Sequence, residues 1–224
     1  MKFNVDINKN INKLYQELEP ELKEHCENVA RLTERLYSLA MERNLFAGKL
    51  TNEVLLQIKD AVIYHDLGKC VFESEFLDKK EPLTYLERRW INRHVDFGLM
   101  LLEHEMSADK NCENNIFIRT AWESIAHHHE RYNGLGYPNK LMGDNISPIG
   151  QMCGICDYYD ALTSDRAYHK AFSHNDTVNR IKQDSGIFFN PELVELFVEH
   201  EDEFYQIKNN SSCIKEEKEK KKVA

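Results

Sequence analysis

The stretch His127-His128-His129-Glu130-Arg131-Tyr132-Asn133-Gly134-Leu135-Gly136-Tyr137-Pro138 closes a helical pattern and opens a loop. Apolar residues recur at helical spacing from about Asn115 to His129. Beyond them, glycines at 134, 136 and 143 and prolines at 138 and 148 leave residues 131–148 as a long loop. A loop of that length inside a compact domain is usually functional. Neutral imidazole is a common metal ligand near neutral pH, and a metal lowers the pKa of water bound to it. Three consecutive helical residues fan through about 200°, so one histidine must face away. His128 and His129, next to the loop, are read as the inward pair. A metallohydrolase is the first expectation.

Working outward, the rest of the chain also reads as helix. Pro20 opens a segment in which Val29, Leu32, Leu36 and Leu39 share a face. Val54, Leu55, Ile58, Ala61 and Val62 mark a second helix, running into His65. Residues Glu73 to Pro82 read as an irregular connection. Thr84, with Glu87 three residues on, predicts a capping box for a third helix through His94 to about Glu103. A further helix spans about Ile149 to Thr163, and Pro191 opens the last. Ile187-Phe188-Phe189 is too short to carry a sheet. The expected fold class is all-α: a single helical domain with a short leading segment, residues 1–18, and a charged tail, residues 209–224.

Hydrophobic residues make up 42% of the 224 positions and charged residues 30%, the balance of a folded globular chain. A net charge of -9 argues against DNA, RNA or anionic membrane as partner, all of which want a basic surface. No apolar run approaches the roughly 20 residues that span a bilayer. Without an apolar leader near Met1, the expected location is cytoplasmic. The six cysteines are scattered and read as free thiols. Cys153 and Cys156 form a lone C-x-x-C, better explained as small core residues than as a zinc or redox pair.

Several polar residues stand where an apolar core is expected. His65-Asp66 follows the apolar face of the second helix, and buried aspartate is uncommon unless paired or metal-bound. Lys69, one turn on, is placed to neutralise a phosphate. Glu21 and His25 are four apart and share a helix face, although a solvated pair is the plainer reading. His94 alone reads as a hydrogen-bonded core or boundary residue. Asp157 and Asp160 lie in one apolar helix, and periodicity does not separate them. Together the residues form a His and carboxylate set drawn from several helices, as in bundle-core metal sites. Nitrogen and oxygen donors without cysteine suit Fe, Mn or Zn.

In their order, these pieces resemble the HD-GYP family of HD-domain metal-dependent phosphohydrolases. The match runs from Glu21-x-x-x-His25 through His65-Asp66-Leu67-Gly68-Lys69, Thr84 with Glu87, and His94 with Gly98. It continues in His128-His129-Glu130-Arg131-Tyr132, Gly136-Tyr137-Pro138, and Asp157-x-x-Asp160-Ala161-Leu162-Thr163-Ser164-Asp165-Arg166. The resemblance places a phosphohydrolase domain at residues 19–208. It implies a phosphodiesterase that opens cyclic di-GMP to linear pGpG, in some members on to GMP. It implies metal ligands at His65, Asp66, His94, His128, His129 and Asp157, with Glu21 and His25 completing a centre of two or three Fe or Mn ions. It assigns Asp66 and Lys69 to catalysis, with Lys69, Gly136, Tyr137, Pro138, Arg166 and His169 at the substrate.

The chain departs from the pattern at Asn133, Ala167, His169 and Gln151. Those positions bear on substrate affinity rather than on the metal donors. Beside the main reading stand a phosphodiesterase for another cyclic dinucleotide or nucleotide and a non-catalytic sensor. A homodimer or a regulatory protein partner is a further expectation.

Overall fold

The computed structural model describes residues 5–6, 9–77, 79, 81–108, 115–165 and 170–210. Its elements are α1 (Ile11–Gln16), α2 (Pro20–Glu42), α3 (Asn52–Leu55), α4 (Ile58–Val62), a 3₁₀ turn (Leu67–Val71), α5 (Ser74–Leu77), α6 (Tyr85–Ile91) and α7 (His94–Ala108). They continue as α8 (Ile116–His127), a second 3₁₀ turn (Gly143–Asn145), α9 (Pro148–Thr163), α10 (His174–Gln183) and α11 (Pro191–Glu199). A last helical segment, α12, covers residues 201–210. Among the described residues there is no strand, only isolated bridges at Asn133–Met142 and Ser185–Phe189. The all-α expectation holds.

Local chemistry sets the helix starts. Pro occupies the first turn of α2, α9 and α11, where its missing N–H costs nothing. Asn115, Ser147, Ser173 and Asn190 cap α8, α9, α10 and α11 by accepting backbone N–H groups with their side chains. The Thr84–Glu87 capping box of α6 is present with both of its bonds.

α2 packs against α9 and α4, α4 also packs on α8, and α8 lies against α7 and α9. Two apolar clusters result. The first draws Val29, Leu32 and Leu36 of α2 together with Met152 and Tyr159 of α9 and Phe197 of α11. The second joins Ile11, Leu14 and Tyr15 of α1 to Cys26, Leu67, Leu102 and Ile125. The leading segment therefore has a buried face. Cys153 and Cys156 are fully buried free thiols, as core residues should be.

Three expectations need correction. The helix read from Val54 to His65 is two pieces, α3 and α4, and His65-Asp66 lies in the turn that follows. The helix read from Thr84 to Glu103 breaks at Asn92-Arg93. The carbonyl of Ile91 at that break accepts a hydrogen bond from the His94 ring, 2.8 Å away. The connection from Glu73 to Pro82 contains the short α5. α10 carries little sequence signal, because only Val178 and Ile181 supply buried apolar contact in it.

Candidate metal centre

His25, His65, His94 and His128 each turn Nδ1 outward to a neighbour and Nε2 toward Asp66. The Nδ1 of His65 donates to Val62 O at 3.1 Å, that of His94 to Ile91 O, and that of His128 to Ser124 O at 2.8 Å. A carbonyl cannot donate, so each of these rings carries its proton on Nδ1. The Nδ1 of His25 is 2.7 Å from Asp160 Oδ2. The Nε2 lone pairs of His65, His94 and His128 are thereby left for the interior, and His25 turns its Nε2 the same way. Outer partners that fix the tautomer in this way accompany metal-ligating histidines.

Asp66 sits between two groups of these rings. Its Oδ1 lies 3.2 Å from His94 Nε2 and 3.8 Å from His128 Nε2, while Oδ2 lies 3.5 Å from His25 Nε2 and 3.6 Å from His65 Nε2. Two compact donor sets share this carboxylate: Asp66, His94, His128 and His129, and His25, His65 and Asp66. Asp157 Oδ1 approaches His25 Nε2 at 3.1 Å. The two aspartates differ in place: Asp157 meets His25 Nε2 on the inner side, and Asp160 stands behind His25 at Nδ1. Lys69 forms an ion pair with Asp66 Oδ2.

The donor set fits a divalent metal. His65 Nε2 and Asp66 Oδ1 are buried without a hydrogen-bond partner. The Nε2 atoms of His94 and His128 are 3.4 Å apart, and both rings are protonated on the opposite nitrogen. Two lone pairs that close favour a shared cation. Burial pulls His94 and His128 down to about 4 and lowers His65 and His129 as well, so these rings stay neutral as ligands must. Burial also opposes charge on His25, yet Asp157, Asp160 and Asp66 outweigh it and push the ring up to about 10. Asp66 is held well below the usual carboxylate range: burial works against ionisation, but Lys69 and the surrounding rings prevail.

Glycines let the backbone bring these residues together. A methyl group at Gly68 would overlap the His94 carbonyl and the Gly98 amide, so the 3₁₀ turn and α7 touch through their main chains. One at Gly150 would meet His127 Cβ, and one at Gly154 would meet His128 O at 2.7 Å. α9 therefore crosses the end of α8 closely enough to present Asp157, one turn beyond Gly154.

The loop folds back over His129. The Tyr137 ring stacks on His129 at 4.7 Å, and Tyr137 N donates to His129 O at 3.1 Å. Gly136 leaves no room for a side chain against His129, Glu130 and Arg131, and Pro138 is exposed. The buried Glu130 carboxylate accepts Asn139 N at 2.7 Å and Leu141 N at 3.0 Å. Asn133 accepts Leu135 N, keeping the turn its position requires. Gln151 donates to Ile146 O and accepts from Asn190, a structural role.

Of the expected metal ligands, the exposed Glu21 joins neither donor set, and Asp157, 3.1 Å from His25 Nε2, lies beside them without belonging to either. Arg166 and His169 lie outside the described residues. His127 points away as expected, its Nδ1 3.0 Å from Ser147 Oγ. His94, read from its setting alone as a core residue, is buried and stands in the donor set with Asp66, His128 and His129. Lys208 escaped sequence reading; it is 2.6 Å from Asp160 Oδ1, and nothing in a polar terminal helix signals that contact.

Residues 16–193 match the HD domain family. The chain is 33% identical over 184 residues to a 3'3'-cGAMP-specific phosphodiesterase of Vibrio cholerae, covering 82% of this chain and 32% of that protein. It is 32% identical over 160 residues to a cyclic di-GMP phosphodiesterase of Pseudomonas aeruginosa, covering 71% of this chain and 36% of that one. The chain thus spans about a third of the length of these relatives. A solved cyclic GMP-AMP specific phosphodiesterase of Vibrio cholerae superposes with a TM-score of 0.50 and 16% identity, over 88% of this chain and 48% of that one, a likeness of fold. No helix among the described residues is long and apolar enough to cross a membrane.

Proposed function

The chain belongs to the HD domain family, in its HD-GYP group, and on that premise we propose that it is a metal-dependent phosphodiesterase hydrolysing a cyclic dinucleotide. The observation that carries the reading is the Asp66 carboxylate shared between two histidine groups whose Nε2 atoms face inward. His94, His128, His129 and Asp66 would hold one divalent ion, and His25, His65 and Asp66 a second, with Asp157 facing them. Bound there, Fe or Mn would supply an acidified water as nucleophile and neutralise phosphate charge. A third ion at Glu21 lacks comparable support.

The chain's own residues do the rest. Lys69, already beside Asp66, places a cation where phosphate charge grows in the transition state. Tyr137 covers the His129 side of the centre, and Gly136 lets that cover lie close. Arg166 and His169 are proposed as further phosphate or guanine contacts. Attack of water at phosphorus forms one P–O bond as one P–O bond to ribose breaks, a proton from the water ends on the released ribose oxygen, and the ring opens to a linear dinucleotide.

Cyclic di-GMP is the substrate we favour, giving pGpG, with cleavage of pGpG to GMP as the second step to be tested. Two of the relatives support 3'3'-cGAMP as a second reading. The full donor set supports an enzyme over a sensor that has lost turnover.

The test is anaerobic loading with Fe(II) or Mn(II), addition of cyclic di-GMP and 3'3'-cGAMP in parallel, and chromatography of products alongside metal analysis. Linear product from either substrate, lost in His65→Ala, is the expected result. A fully metallated chain that leaves both rings closed would overturn the proposal.

A further inference from the structure

We propose that Lys208 is a positioning residue for the metal centre, acting through Asp160 on His25. The inference rests on the metal-centre reading above, and extends it to a helix outside the family match, which ends at residue 193. The Lys208 ammonium has three protons to donate, and three acceptors surround it: Asp160 Oδ1 at 2.6 Å, Ser164 Oγ at 2.7 Å and Asp160 O at 3.2 Å. The other oxygen of Asp160 lies 2.7 Å from His25 Nδ1. The Asp160 side chain is 1% exposed and that of Lys208 14%. A buried carboxylate is thus clamped from both sides, with the lysine behind and the imidazole in front.

The clamp also ties two elements together. Lys208 donates to a carbonyl near the C-terminal end of α9, where a cation is favoured, and α12 is seated there by Phe204, stacked 4.2 Å from Phe197. His25 turns its Nδ1 to a side-chain carboxylate 2.7 Å away, where His65, His94 and His128 use backbone carbonyls. A backbone carbonyl is held by its helix; a carboxylate rotates unless something holds its far oxygen. Lys208 does so, and the His25–His65 ion position depends on it.

The test is titration of metal-stripped protein with Mn(II), following free Mn(II) by electron paramagnetic resonance. Wild type is expected to take up two ions. Lys208→Met should leave the first unchanged and weaken the second about 10–100-fold, the usual cost of losing an outer partner of a ligand. Asp160→Asn should do the same, and the double variant no more than Asp160→Asn alone, because the two act in one chain. Phe204→Leu, which loosens α12 without touching the clamp, should lower Tm and keep both ions. The inference is overturned if Lys208→Met binds both ions as wild type does, if the two losses add, or if Phe204→Leu costs as much. A wild-type chain that binds no second ion overturns the metal-centre reading itself, and that result is read before any variant.

Discussion

Asp66 is the residue on which both donor groups converge, one oxygen toward each. Asp66→Ala is therefore expected to deplete both ions and abolish hydrolysis, whereas His65→Ala should deplete chiefly one; metal analysis of the purified variants checks this. An active and fully metallated Asp66→Ala protein would remove the assignment. Lys69 supplies charge rather than a ligand. Lys69→Met should keep its metal and lower kcat by about 10²–10³-fold, the scale of losing one preorganised electrostatic contact. At this scale much was legible: adjacent polar residues after an apolar face pointed to His65 and Asp66. Asp157 and Asp160 were not separable, because their roles differ by which side of His25 they meet, and that ring comes from a helix 135 residues away.

Among the elements, the crossing of the first 3₁₀ turn and α7 is the most constrained, since Gly68 and Gly98 meet through backbone. Gly68→Ala must force α7 away and with it His94. Overpacking of this kind costs about 1–3 kcal/mol, and the expected signs are a Tm lower by several degrees and loss of the ion on the His94 side. Thermal unfolding with metal analysis reads both. α6 offers a contrast: it contributes no buried residue. Thr84→Ala removes its capping box at about 1 kcal/mol and should leave the metal content intact. Helix starts were readable because caps and N-terminal prolines are local chemistry. The breaks at Asn92-Arg93 and after α4 were not, since apolar spacing continues across them and packing around the centre places the turns.

For the whole molecule, the buried titratable groups set the pH response. His94 and His128 are pulled by burial to about 4 from the ordinary 6.5. The unfolded chain then binds more protons than the folded one between those values, so stability falls as pH drops from about 6.5 toward 4. His25 acts in the opposite sense: raised to about 10, it adds stability that is complete below about 6.5 and lost as pH rises through 10. Metal-stripped protein should show a urea midpoint clearly lower at about pH 5 than at about pH 7.5. An unchanged midpoint would contradict burial of the histidines in neutral form. Metal affinity should also fall in the same acid range, because the donors must be deprotonated.

Local order along the chain specified an all-α protein, the starts of its main helices, its family and most of the polar residues that meet around Asp66. Periodicity, caps and ordered motifs are properties of neighbours along the chain. The packing of distant helices set the rest: Asp66 divides its oxygens between two histidine groups, Asp157 meets His25 from the inner side, and Lys208 stands behind Asp160. Each of these depends on helices distant in sequence meeting at one point. The close backbone crossings at Gly68 and Gly154 bring that meeting about.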